Sequence, residues 1–126
     1  MNIMKKHSIF FVLVLLALFL GGCKYDFILP VEVPVIDNGG DPISFATQIV
    51  PIFTEKCVTC HSSQSPRLTA DVAYSQLVPN YVNKANPSGS ILYINAYSGT
   101  HNNVKVSATQ AALILAWITE GANNTN

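Results

Sequence analysis

Charge is scarce in this 126-residue chain, at 11 %, and neither sign prevails: seven Lys and Arg stand against seven Asp and Glu. No basic cluster occurs, so a nucleic-acid surface is not expected. Methionine is found only at positions 1 and 4, and cysteine only at 23, 57 and 60. No internal repeat is visible. Neither an acid–base pair nor an arranged nucleophile can be picked out, so no enzymatic reaction is expected.

The abundant class is hydrophobic, at 49 %, but it is unevenly spread. Lys5, Lys6 and His7 precede an unbroken apolar run, residues 9–20, followed by Gly21, Gly22 and Cys23. This is the three-part layout of a secretory signal. The run is shorter than the roughly 20 apolar residues needed to span a bilayer. Leu20-Gly21-Gly22-Cys23 resembles the lipobox of bacterial lipoproteins. That likeness implies a signal peptide over residues 1–22 and a lipidated Cys23 as the first mature residue. The plainer alternative is an ordinary signal with a stray cysteine. Several acyl chains hold a protein firmly where one is marginal, so the mature chain is expected to be anchored to a membrane, on the periplasmic or surface side of a bacterial cell envelope. Lys24 follows the cysteine; by analogy with proteobacterial sorting, this points to the outer membrane.

From Cys23 onward five cations face seven anions, a net −2 with His neutral. Residues 23–43 read as a linker. Pro30, Pro34 and Pro42 disfavour helix and favour extended chain. Alternating Val31, Val33 and Val35 would also suit an edge strand. Residues 44–126 read as one all-α domain. Ser44 is a good N-cap, and Phe45, Ile49, Ile52 and Phe53 share a helical face. Pro51 predicts a kink or restart, with the next turn ending at the cysteines. Short helices are expected over residues 69–77 and 90–96, with a turn at 86–89. The clearest element is the last. Ser107-x-x-Gln110 has capping-box spacing, Leu113, Ile114, Trp117 and Ile118 form one face, and Gly121 supplies the stop. Residues 123–126 read as a polar tail.

The chemistry resides in Cys57-Val58-Thr59-Cys60-His61. C-x-x-C-H is the pattern for covalent haem attachment. Two thiols on one turn of chain match the two vinyl groups on one edge of the ring. The adjacent His61 then lies under the ring as proximal iron ligand. A largely apolar haem c would also supply core that a domain of this size lacks. Three other uses of the residues stay open. A thioredoxin-type dithiol wants a strand before the motif and a βαβ setting, whereas an amphipathic helix precedes it here. A zinc site needs four ligands, and Cys57, Cys60, His61 and His101 reach that count only across a long gap. A Cys57–Cys60 disulfide in a haem-free lipoprotein module would close too small a loop to stabilise much.

Residues 49–61, Ile49-Val50-Pro51-Ile52-Phe53-Thr54-Glu55-Lys56 and then the haem motif, resemble the opening of small bacterial class I c-type cytochromes. Ala116-Trp117-Ile118 and Glu120-Gly121-Ala122 resemble the end of their closing helix. The likeness covers about residues 44–124. It implies a cytochrome c-like fold in which the first and last helices cross and one covalent haem lies among helices and loops. Phe53 and Trp117 would meet at that crossing, although both also suit an ordinary core. The implied function is electron transfer through the haem iron to redox partner proteins.

The chain departs from that family at the distal iron ligand. The relatives commonly carry a Met a few residues before the last helix, and none remains here after Met4. The matching segment, residues 98–106, contains His101, the candidate distal ligand. Lys84, Lys105 and Tyr97 are alternatives, as is an open five-coordinate iron. The open site would make the chain a haem-based ligand-binding or sensor domain instead.

Overall fold

In a computed structural model of the chain, residues 34–78 and 80–125 are described. The expected signal peptide, Cys23, Val31 and Val33 lie outside them. No strand occurs among the described residues, and the chain is all-α there. No helix among them is long and apolar enough to cross a membrane.

Ser44 caps the first helical turn, its hydroxyl accepting from Thr47 N at 3.1 Å while Gln48 Oε1 accepts from Ser44 N at 2.8 Å. That turn, Phe45–Ile49, is π-helical, and Val50 N donates to Phe45 O. It runs directly into α1 (Val50–Lys56), with Pro51 in the opening positions. The restart expected at Pro51 is present, as a π-helical turn that gives way to an α-helix opening on the proline. Proline has no N–H to give and its ring crowds the preceding turn; a wider turn accommodates both without interrupting the helix.

Cys57 closes α1 and begins the single turn α2 (Val58–His61). The helix expected over 69–77 is shorter, α3 (Ala73–Leu77); residues 69–72 form a turn in which Thr69 O accepts from Val72 N and Ala73 N. Asn86 caps a 3₁₀ turn, Pro87–Gly89. Buried Ser90 then ties this region together, its hydroxyl accepting from Asn83 N at 2.8 Å. α4 (Ile91–Ser98) follows and ends at Gly99, which takes the left-handed φ of 70° that favours glycine. α5 (Ala108–Thr119) has both halves of its capping box, Gln110 N to Ser107 Oγ and Ser107 N to Gln110 Oε1.

α5 packs on α4 and on the π-helical turn. It buries Ala111, Ala112, Ile114, Trp117 and Ile118, while Leu113 is only half-buried. Phe45 lies at the centre of the aromatic core, 5.1 Å from Trp117, 5.3 Å from Tyr74 and 6.2 Å from Phe53 between ring centroids. The first and last helices thus meet through Phe45, and no Phe53–Trp117 ring pair is found among the described residues.

The last residues are fastened. Trp117 Nε1 donates to Asn123 O at 2.9 Å, and Tyr74 Oη to Ala122 O at 2.9 Å. Thr125 and Glu120 then bind the start of the domain. Ile43 N donates to Glu120 Oε2 at 2.7 Å, Phe45 N to Thr125 Oγ1 at 3.2 Å, and Ala46 N to Thr125 O at 3.1 Å. Ile43 is 2 % exposed and belongs to the core, whereas Val35 is 94 % exposed.

Candidate functional site

α2 is one turn long, yet it sets three side chains on one face. Cys57 O accepts from Cys60 N at 3.1 Å and from His61 N at 2.9 Å. Residues three and four apart on a helical turn are neighbours, so Cys60 and His61 both stand beside Cys57. The chain then loops back. Leu68 N donates to His61 O at 2.9 Å, and Arg67 Nε to Ser62 O at 3.3 Å. This return brings the Pro66 carbonyl to the imidazole of His61, 2.8 Å from Nδ1. A carbonyl only accepts, so Nδ1 carries the proton and Nε2 keeps its lone pair for another partner.

His61 Nε2 faces His101 Nε2 at 3.5 Å. The rings stack at 5.7 Å with 25° between their planes. His101 comes from the loop between α4 and α5, forty residues along the chain. Both histidines line a cavity of about 340 Å³, with Cys57 and Cys60 in the same wall. Ile52, Phe53, Leu68, Leu77, Leu92, Val106 and Ile114 supply its apolar lining. Gln64, Asn95 and Asn102 add polar groups at intervals. The volume falls within the span of roughly 300–1,000 Å³ usual for small-molecule clefts, and the mix of apolar wall and few polar groups fits that type.

Cys57 and Cys60 are both free thiols, Cys57 half-buried and Cys60 exposed. Burial pushes the Cys57 thiol up, and the neighbouring Cys60 adds to the shift. A redox dithiol needs the opposite, a thiolate stabilised near neutral pH. Among the described residues no three His, Cys, Asp or Glu side chains converge as metal donors, so the four-ligand zinc arrangement has no geometric support. Two facing imidazoles are a different donor set. They suit an ion whose remaining positions a macrocycle fills. A metal held between two imidazole nitrogens at about 2.0–2.1 Å each needs them roughly 4 Å apart. The His61–His101 spacing is within about half an ångström of that requirement.

The other distal candidates are elsewhere. Tyr97 stacks on Tyr93 at 5.7 Å, and Lys105 Nζ lies 5.6 Å from the Tyr97 ring centroid. Among the described residues, neither these nor Lys84 lines the cavity. Two contributors carried no signal in the sequence. Pro66 acts through its backbone carbonyl, and Asn95 is an unremarked polar residue on α4. Comparison with protein-family models, with curated proteins and with solved structures found no match.

Proposed function

We propose that this chain is a monohaem c-type cytochrome that carries electrons while tethered to a bacterial membrane by lipid on Cys23. The observation that carries the reading is the pair of imidazole nitrogens facing each other at 3.5 Å, on residues that line an apolar cavity together with both motif thiols. Cys57 and Cys60 would hold the ring covalently through thioether links. His61 is the proximal ligand, with its tautomer set by Pro66. His101 is the distal ligand, in the position where the resembled family uses methionine. The haem iron supplies a one-electron couple when bound.

The protein's part is to hold and tune. Ile52, Phe53, Leu77, Leu92 and Ile114 line the cavity and would keep water from the bound ring. The hydrogen bond to Pro66 fixes the His61 ring and raises its basicity as a donor. Two imidazoles without a thioether sulfur favour a lower potential than His–Met ligation. The cytochrome c-like arrangement of first and last helices is part of the same proposal, supported by the meeting of α5 with the π-helical turn.

A pyridine haemochrome spectrum of protein matured by the c-type assembly system tests the reading, with one covalent haem expected. Its absence would sink the proposal. Electron paramagnetic resonance should give a low-spin bis-imidazole signal that His101→Ala abolishes. Cys23→Ala should move the protein from membranes to the soluble fraction.

A further inference from the structure

The two histidines are held unequally. His61 is fixed at Nδ1 by Pro66 and adjoins Cys60, a covalent anchor in the reading above. His101 is exposed, and its only side-chain hydrogen-bond contact among the described residues is with His61 Nε2. Its loop, residues 99–105, bonds to itself and to the adjoining Ser98. Ser98 Oγ accepts from Thr100 N at 3.2 Å, and Val104 N donates to His101 O at 3.0 Å. Asn102 and Asn103 hold left-handed φ values of 51° and 58°, a conformation that is costly off glycine even though Asn tolerates it best.

The ends of the loop are fixed points. Val106 is buried, and its N donates to Ala96 O at 3.1 Å. At Gly99, φ is +70°, and an added Cβ would stand 3.2 Å from Lys105 Cβ. The segment is a strained flap pinned at both ends, and His101 is its main polar hold on the interior. Behind it, the Asn95 amide lines the cavity and makes no side-chain hydrogen bond among the described residues.

We propose that His101 is an exchangeable ligand, and that its loop swings aside to admit a small neutral π-acceptor of the carbon monoxide or nitric oxide class at the distal face. The proposal rests on the haem reading. In the exchange the bond from His101 Nε2 to iron breaks and the electron pair returns to the imidazole. The incoming molecule forms one bond to iron through its own lone pair. Iron stays ferrous, and no proton or electron is transferred. His61 remains in place, and the Asn95 amide lines the same cavity as a donor for the bound molecule.

Stopped-flow mixing of the dithionite-reduced, full-length, haem-loaded protein with carbon monoxide tests this. The Soret band should shift to that of an adduct, at a rate that rises with carbon monoxide and then reaches a ceiling set by release of His101. In His101→Ala the ceiling should vanish, and binding at high carbon monoxide should be at least about tenfold faster, because the competent state is no longer a minority. Gly99→Ala lies outside the coordination sphere. It strains the closed loop and should raise the ceiling about fivefold, whereas release of His61 would leave the ceiling unmoved. Three results would each overturn the proposal: no adduct over hours, a wild-type rate linear in carbon monoxide, or a ceiling indifferent to both variants. A protein without covalent haem fails earlier, in the haemochrome spectrum, and that failure sinks the haem reading itself.

Discussion

Phe45 offers the sharpest test of how the first and last helices are joined. It is 2 % exposed and touches three rings, Trp117, Tyr74 and Phe53. Phe45→Ala removes a buried phenyl and leaves a cavity among rigid rings, at a cost of about 3–5 kcal/mol. That is a large share of the roughly 5–15 kcal/mol that stabilises a domain. Phe45→Leu retains most of the volume but loses the ring geometry. Each aromatic pair is worth about 0.5–1.5 kcal/mol beyond area burial, and contacts sharing one residue do not add fully. The expected loss is about 1.5–3 kcal/mol on those grounds. Urea unfolding followed by far-ultraviolet circular dichroism, with the haem state held fixed, reads it as a lower midpoint at unchanged slope. A cycle with Tyr74→Leu, whose ring meets Phe45 edge-on at 82°, should show about 1 kcal/mol of coupling. A Phe45→Leu loss below about 0.5 kcal/mol, or a cycle without coupling, would refute the aromatic junction.

Three further outcomes are expected. Ser107→Ala removes the acceptor for Gln110 N and should cost about 1 kcal/mol in urea unfolding; a change within error would mean that α5 does not depend on its cap. Glu120→Ala leaves Ile43 N without its 2.7 Å acceptor and should cost about 1–3 kcal/mol, while Glu120→Gln recovers most of it by keeping an oxygen there; equal losses would show that charge, not the hydrogen bond, matters. In the haem-free full chain, Cys57 should be alkylated by iodoacetamide more slowly than Cys60 near pH 8, as peptide mass spectrometry would report. Burial raises the Cys57 thiol, so its stabilising contribution is complete below the ordinary thiol range and fades as pH climbs through the raised value. Equal labelling rates would contradict that environment.

Local chemistry was legible from spacing, whereas of the long-range contacts only the pairing of His61 with His101 was foreshadowed, through the family resemblance. Ser107-x-x-Gln110 is a short-range device, and it forms as the spacing predicts. Ser44 does the same at the first turn. Pro51 announces the restart that α1 makes there, but nothing in the residue pattern announces that the turn before it is π-helical. The helix around residue 73 begins late because Val72, at φ −129°, lies outside the helical region and becomes the N-cap. Trp117 pairs with Phe45 and not Phe53, since helical spacing gives the face but not which residue on it reaches the partner helix. In the site, the motif places Cys57, Cys60 and His61 together by spacing alone. The meeting of His61 with His101 spans forty residues and depends on the path of the α4–α5 loop. The Pro66 carbonyl is backbone chemistry, and no side chain could have flagged it.

The knot at residues 43–46 and 120–125 shares no residue with the cavity wall. A pull on residues 23–43 from their N-terminal side would first meet Ile36, packed against the core, and the bond from Gln48 Nε2 to Asn38 Oδ1. It would next load the bonds from Ile43, Phe45 and Ala46 to Glu120 and Thr125, ahead of the motif. Those few contacts would act as a mechanical fuse, yielding at the tail before the two histidines are disturbed.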